Sequence, residues 1–310
     1  IGRISRNDNQ DIESIPDYGF ADLTNLVTII LPNSVTQIGR YAFRDCERLK
    51  SIVIPSGVTT IENDTFVRCY NLTSVTIPDS VTSIGNFAFL ECSSLTSITI
   101  PNSVNSIGES AFRECTELKS IVIPSGVTTI ENNTFVKCYN LTSVIMPDGV
   151  TSIGNFAFYL CSSLTSITIP NGVTNIGVSA FSGCAGLTSI VIPDSINIIS
   201  ESAFRECTRL TSVIMPDSVT STSIREYAFY YCSNLTSITI PNGVTNIGEY
   251  AFAYCYNGLR VTCRGNNPPS LDQNQTAFVG MSQLVIRVPS NSSTSYINSW
   301  TNYQQYITLY

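Results

Sequence analysis

A repeating pattern of apolar and polar positions runs through most of this chain. Residues 95–100, LTSITI, show it in its simplest form. Their β-branched side chains favour an extended strand, in which Leu95, Ile98 and Ile100 point inward while the threonines and serine point outward. Pro101 follows, and a proline has no N–H to donate to a β-ladder. We therefore predict a short strand that ends at this proline.

The residues after the proline are predicted to return to the core and then to turn. Val104 and Ile107 bring two more apolar side chains inward, and Gly108 permits a turn that a Cβ atom would hinder. Residues 109–115, ESAFREC, suit one or two helical turns, with Phe112 and Cys115 on one face. Each unit thus predicts one strand, an apolar return segment and a short helix or turn.

This unit recurs with a spacing of 23 residues. Its prolines are Pro32, Pro55, Pro78, Pro101, Pro124, Pro147, Pro170, Pro193 and Pro216. Pro241 follows at an interval of 25, which indicates an insertion near Ser221. A phenylalanine keeps the same spacing in every unit, and from Phe43 onward a cysteine follows three residues later. We call each position that recurs from unit to unit a column. A fixed period over so many columns predicts a solenoid of about eleven units, each pairing its strand with the next.

The consensus L-x-x-I-x-I-P-x-x-V-x-x-I-G-x-x-A-F-x-x-C resembles the BspA-like leucine-rich repeats of bacterial and protozoan surface proteins, from about Ile12 to Cys263. The resemblance implies an α/β solenoid, mainly β by content. In that family the chain forms a right-handed superhelix with one parallel β-sheet face and short helices or turns on the other. The resemblance also implies a secreted or cell-surface location and a role in adhesion. It assigns only structural roles to residues of this chain, because the family shares no catalytic residues.

Three segments follow from where the repeat begins and ends. We predict an N-terminal lead-in at residues 1–11, the solenoid at 12–257 and a C-terminal cap at 258–310. Gly258 replaces the column leucine and Arg264 replaces the column proline. The tail, with Tyr296, Trp300 and Tyr303, resembles the C-terminal cap of Bacteroides-type members, which would close the open end of the core.

The eleven cysteines could form disulfides, a metal ladder or reactive thiols. Ten recur once per unit beside the phenylalanine column, where the first unit has Leu23 instead. Stacked side chains with parallel Cβ vectors suit disulfide geometry poorly. We therefore expect buried free thiols that act as small hydrophobic groups.

Composition excludes several classes of function. Only 13% of residues are charged and the net charge is -7, which argues against binding to nucleic acid. No apolar run approaches the roughly 20 residues of a membrane span, so we expect no membrane insertion. The chain has no histidine, which rules out His-based triads and His-ligated zinc. No metal-loop, P-loop or dinucleotide motif occurs, so we predict no catalytic residue, no cofactor and no metal.

Two outward surfaces remain as candidate binding sites. The strands carry an outward row that is small and partly apolar, formed by Val53, Thr76, Thr99, Val122, Ile145, Thr168, Val191, Ile214 and Thr239. It could dock an extended partner, or simply reflect strand propensity. Six tyrosines replace polar column residues in the last two full units: Tyr227, Tyr230, Tyr231, Tyr250, Tyr254 and Tyr256. Exposed tyrosine clusters mark binding patches, although these rings could instead pack against the cap.

These patterns predict a non-enzymatic recognition module, secreted or on the cell surface, that binds a protein or glycan ligand on a host or neighbouring cell. One alternative is a structural, self-assembling repeat protein, because residues 43–104 nearly recur at 112–173. Another is an ice-binding surface, since serine and threonine alternate in several strands. Interruption by Val53, Val122 and Val191 weakens that second alternative.

Overall fold

The computed structural model describes residues 2–3, 12–218 and 222–310. Most of the predicted lead-in 1–11, and Ser221 at the predicted insertion, lie outside the described residues. The chain divides into two compact units, Ile1–Val150 and Thr151–Tyr310. Each unit is a solenoid of short parallel strands, as the sequence predicts.

The strands of the first unit are two or three residues long. They are β1 (Gly2–Arg3), β2 (Ser14–Ile15), β3 (Ile29–Ile30), β4 (Gln37–Ile38), β5 (Ser51–Val53), β6 (Thr60–Ile61), β7 (Ser74–Thr76), β8 (Ser83–Ile84), β9 (Ser106–Ile107), β10 (Ser120–Val122), β11 (Thr129–Ile130) and β12 (Ser143–Ile145).

The second unit has longer strands and the helices. Its strands are β13 (Ser152–Ile153), β14 (Asn175–Ile176), β15 (Ser189–Val191), β16 (Ile198–Ile199), β17 (Ser212–Ile214), β18 (Thr222–Ile224), β19 (Ser237–Ile240), β20 (Val244–Ile247), β21 (Arg260–Cys263), β22 (Ser270–Leu271), β23 (Val285–Val288) and β24 (Ile307–Leu309). A helix α1 spans Ser293–Ser299, between 3-10 turns at Ser290–Ser292 and Thr301–Tyr306.

Most repeats contribute two strands, whereas the sequence pattern predicts one. The first precedes the proline and pairs with its copy 23 residues on, as in Ser51 with Ser74. The second lies in the return segment and pairs in the same way, as in Ser83 with Ser106. In the second unit the first strands form one sheet, β15-β17-β19-β21-β23-β24, and the second strands form another, β13-β14-β16-β18-β20-β22. Two short parallel sheets therefore enclose the core.

Residues 95–100 do not form the predicted strand, since only Ser97 pairs there, in an isolated bridge with Ser120. The predicted inward and outward positions are nevertheless confirmed. Leu95, Ile98 and Ile100 are buried, while the threonines and serine between them are exposed. Beside the predicted insertion, the pairing of β18 with β20 shifts by one residue between Thr222 and Ser223. The extra residues therefore disturb the second sheet locally, and pairing resumes directly afterwards.

Residues 109–115 form a series of turns and not the predicted helical turns. Ser110 and Glu114 have left-handed backbones, with φ of 56° and 61°, which a right-handed helix does not accept. Alternate amides donate to the next repeat, as Phe112 N–H does to the Thr134 carbonyl at 3.0 Å. The turns are thus bonded between repeats in the same way as the strands, because the left-handed residues redirect every second N–H outward along the stack.

Two side-chain columns fill the core. Phenylalanine rings stack face to face, 5.3 to 5.7 Å apart in the first unit and 5.2 to 5.5 Å apart in the second. The eleven cysteines are buried free thiols, as predicted. The thiol of Cys69 donates to the Phe43 carbonyl at 3.1 Å, and that of Cys207 to the Phe181 carbonyl at 3.3 Å. Leu23, in the same column, is instead 46% exposed.

The C-terminal residues cover the end of the phenylalanine column. Trp300 lies 5.7 Å from Phe278 between ring centres, and its indole N–H donates to the Pro269 carbonyl at 2.9 Å. The Tyr296 hydroxyl donates to the Gly265 carbonyl at 2.9 Å. Both large side chains are fully buried. The boundary between residues 257 and 258 stays a prediction, since β21, β23 and β24 continue the first sheet past it and β22 continues the second.

Candidate functional site

The six predicted tyrosines lie on the turns of successive repeats in the second unit. Four of them, Tyr227, Tyr231, Tyr250 and Tyr254, occupy the left-handed positions, with φ between 53° and 61°. The turn backbone is held by bonds to the next repeat, such as Tyr227 N–H to the Glu249 carbonyl at 2.9 Å. The rings therefore project from a hydrogen-bonded scaffold and not from a free loop.

The structure brings all six rings into one connected cluster, which we call the tyrosine patch. Tyr227 stacks on Tyr250 with ring centres 5.3 Å apart and lies 5.5 Å from Tyr230. Tyr230 is 5.4 Å from Tyr254. Tyr256 then joins the patch at 5.8 Å from Tyr254 and 5.6 Å from Tyr231. Residues up to 29 positions apart in sequence thus share one aromatic surface.

The hydroxyl groups distinguish the tyrosine patch from the tyrosines of the C-terminal tail. Among the described residues, none hydrogen-bonds to a hydroxyl of the patch. In contrast, the hydroxyls of Tyr296, Tyr303 and Tyr310 each donate to a backbone carbonyl. Tyr231 and Tyr256 are 39% and 42% exposed, and the other four rings are half-buried. The hydroxyls of the patch are therefore available to a ligand, unlike those of the tail.

Charged side chains adjoin the patch. The Arg205 guanidinium lies 5.1 Å from the ring centre of Tyr230, which is within the range of a cation–π contact, and also pairs with Glu206 at 3.0 Å. Burial against its neighbours, followed by the charge of Glu249, raises the pKa of the Tyr227 hydroxyl above its ordinary value. At neutral pH this hydroxyl is therefore protonated and can both donate and accept a hydrogen bond.

A cavity of about 250 Å³ adjoins the patch, and we call it the cap cavity. Gly280 lines it and lies against the Tyr254 ring, so close that a Cβ atom would come within 2.5 Å of that ring. The repeat pattern does not point to Gly280, because this residue lies beyond the regular repeat. The sequence signal for this place was Gly280 itself, because it occupies the repeat position at which Tyr254 and Gly183 also have a left-handed backbone.

The outward row of the strands is exposed as predicted. In the first unit Val53, Val122 and Ile145 are 65%, 57% and 58% exposed. In the second unit Val191 lies beside Ile214, and both are more than half exposed. These side chains form short apolar stripes on an otherwise polar sheet.

Within residues 12–218 and 222–310, no group of three or more Asp, Glu or Cys side chains is arranged to hold a metal. No helix in the part of the chain that the structure describes is long and apolar enough to cross a membrane.

The repeat columns and their geometry match a known family of repeats. A family model described as BspA type leucine rich repeat region (6 copies) matches residues 13–141 and 128–259. This chain belongs to the BspA-type leucine-rich repeat family. A comparison with curated proteins finds no match.

Solved structures of bacterial leucine-rich repeat proteins are similar to this BspA-type chain. A leucine-rich repeat protein from Bacteroides ovatus is 26% identical, with a TM-score of 0.58, over 99% of this chain and 90% of that chain. A leucine rich cell surface protein from Faecalibacterium prausnitzii is 29% identical, with a TM-score of 0.50, over 96% of this chain and 94% of that chain. Both likenesses span nearly the whole of this chain.

Proposed function

We propose that this protein is a non-enzymatic recognition module, secreted or on the cell surface, that binds a protein or glycan ligand through the tyrosine patch. The observation that carries the proposal is the set of six clustered rings whose hydroxyls have no partner among the described residues. Such rings offer both apolar area and hydrogen-bonding tips to a ligand.

The scaffold supports this proposal. Backbone bonds from repeat to repeat hold the turns, as between Phe229 N–H and the Ala251 carbonyl at 2.7 Å. A surface that is already ordered loses little conformational entropy on binding. The surface location is supported by the similarity to the protein from Faecalibacterium prausnitzii, which is described as a cell surface protein. The absence of histidine from the sequence supports a non-enzymatic role.

Two glycine substitutions test the patch without disturbing the backbone. Tyr231 and Tyr254 stand in the left-handed column that Gly183 and Gly280 also occupy, with φ of 74°. Tyr231→Gly combined with Tyr254→Gly therefore removes two rings while the turns keep their conformation. We expect affinity for ligand-bearing surfaces to fall by a factor of ten or more, because aromatic anchors carry much of the binding energy.

The measurement is biolayer interferometry of the purified chain on immobilised matrix proteins, glycans and fixed cells. Tyr18→Ala is the matched control, since Tyr18 is 53% exposed and stacks on Tyr41 in the first unit. The control should bind like the unmodified protein. The proposal fails if the unmodified protein binds none of these surfaces, or if the double variant binds as well as it does.

Self-association is a second candidate, favoured by the apolar stripe of the first unit. Val122 and Ile145 are neighbours in the β10–β12 pair and both are more than half exposed. Two such stripes could bury each other, as exposed apolar surface often does. Light scattering at high protein concentration tests this candidate, and a strict monomer would contradict it.

A further inference from the structure

The cap cavity and the tyrosine patch are in contact at Gly280. Gly280 lines the cap cavity and touches the Tyr254 ring. The Tyr254 N–H donates to the Val279 carbonyl at 3.0 Å, and Val279 also lines the cavity. A ligand seated in the cavity can therefore continue onto the rings of the patch.

The lining of the cap cavity combines aromatic rings with side-chain amides. Phe278 and Tyr303 are buried beneath it, and Tyr306 is the half-buried ring of the lining. The amides are Asn274, Gln275 and Asn302. None of the described residues that line the cavity is charged. Phosphate and carboxylate ligands are usually bound by arginine or lysine side chains, so this lining favours a neutral ligand.

The amides of the lining differ in whether the protein itself already uses their hydrogen bonds. The Gln275 amide nitrogen donates to the Ser299 carbonyl and the Thr301 hydroxyl, both at 3.1 Å, and its oxygen accepts the Asn302 N–H at 3.0 Å. These bonds use both amide hydrogens of Gln275, which therefore holds the cap together. The side-chain amide of Asn274 is exposed and makes no hydrogen bond among the described residues. It therefore retains its full capacity of two donated and two accepted bonds.

We infer that the cap cavity holds the terminal unit of a neutral glycan, whose following units lie on the tyrosine patch. A sugar ring presents C–H groups that pack on aromatic faces, and hydroxyls that pair with amides and phenols. This is the mixture of apolar walls and a few oriented polar groups that small-ligand sites use. The inference rests on the proposed function and narrows its ligand to one chemical class.

Ligand-observed saturation-transfer NMR tests the inference on the full chain. The probes are chitotriose, cellotriose and maltotriose, with a hexaproline peptide as the competing ligand class for an aromatic groove. We expect at least one trisaccharide to receive saturation, most strongly at its terminal ring. Asn274→Ala and Tyr306→Ala should each weaken its binding by about tenfold, or about 1.4 kcal/mol. Tyr18→Ala should leave binding unchanged.

The outcomes separate this inference from the proposed function. The glycan inference is overturned if no trisaccharide binds, if only hexaproline binds, or if Asn274→Ala and Tyr306→Ala bind sugar like the unmodified protein. In each of these cases the proposed function still stands when binding to cells or matrix proteins is lost in the double variant Tyr231→Gly with Tyr254→Gly. Circular dichroism confirms folding of each variant, and Asn274→Ala removes only an exposed side chain.

Discussion

The backbone of Gly280 lies directly against the ring of Tyr254, where a Cβ atom at position 280 would meet Cδ1 and Cε1 at 2.5 Å. Gly280 also has a φ of 74°, a left-handed conformation that side chains with a Cβ disfavour. The glycine therefore lets the backbone of the cap approach the Tyr254 ring closely.

Gly280→Ala should displace the Tyr254 ring and weaken ligand binding without removing an aromatic group. Steric overlap and backbone strain together should lower the free energy of unfolding by about 1–3 kcal/mol. Urea unfolding followed by the fluorescence of buried Trp300 measures the stability, and interferometry measures the binding. A variant with unchanged binding would show that the position of the Tyr254 ring does not matter to the ligand.

Gly149→Ala provides the control for this and the next prediction. The nearest atom to a Cβ at position 149 is the Ser125 carbonyl oxygen at 3.6 Å, which is an ordinary contact. The free energy of unfolding of Gly149→Ala should remain within about 0.5 kcal/mol of that of the unmodified protein, as for most surface substitutions.

Gly108→Ala should destabilise the first unit for a different reason. The glycine does not have a positive φ. Instead its Cβ would lie 2.4 Å from the Asn86 side-chain oxygen and 2.5 Å from the Asn86 backbone nitrogen. That oxygen accepts the Glu109 N–H at 2.9 Å and so joins two repeats. Because backbone atoms cannot move aside easily, we expect the free energy of unfolding, measured with urea, to fall by about 1–3 kcal/mol. A decrease as small as that of Gly149→Ala would refute the steric argument.

Alkaline pH should destabilise the second unit through its buried thiols. Burial raises the pKa of the Cys184 thiol from 9.0 to about 12. Above the unfolded pKa of about 8.5 the unfolded chain loses this proton while the folded chain keeps it. Stability is therefore complete below that pH and falls as pH rises toward the folded pKa, by about 1.4 kcal/mol per pH unit for each thiol.

Cys184→Ala should reduce the slope of unfolding free energy against pH between about pH 9 and pH 11 by the contribution of one thiol. The substitution also leaves a small cavity, which lowers stability at every pH. Val173→Ala, at a fully buried position without a thiol, is the matched control. It should lose stability while keeping the slope, and equal slopes in both variants would contradict the assignment to Cys184.

The sequence predicted burial correctly at positions that recur in every repeat. It did not predict features that depend on contacts between different positions of the repeat. The inward positions of Ile98 and Ile100 follow from the alternation of an extended chain, and both are buried. The segment at 109–115 was predicted as helical because Phe112 and Cys115 are three apart, a spacing that a series of turns also satisfies. Only the φ values at Ser110 and Glu114 distinguish the two, and neither residue type announces a left-handed backbone.

For the candidate site, the six tyrosines could be named from the sequence because they replace polar residues in known columns. Their union into one patch could not be predicted, since ring contacts such as Tyr230 with Tyr254 depend on side-chain directions across two repeats. The cap cavity was missed altogether. Its walls come from residues 274–306, where the repeat no longer supplies a register.

By itself the sequence determined the 23-residue period, which side chains of the strand segments point inward, and which residues form the core columns. These features follow from the spacing of apolar residues and prolines, which act on the chain within a few residues. The tertiary structure alone decided the second sheet, the left-handed turns, the thiol hydrogen bonds and the meeting of Tyr254 with Gly280. Each of these depends on atoms about one repeat apart, as between Cys69 and Phe43, 26 residues away in sequence. Such contacts exist only once the repeats are stacked.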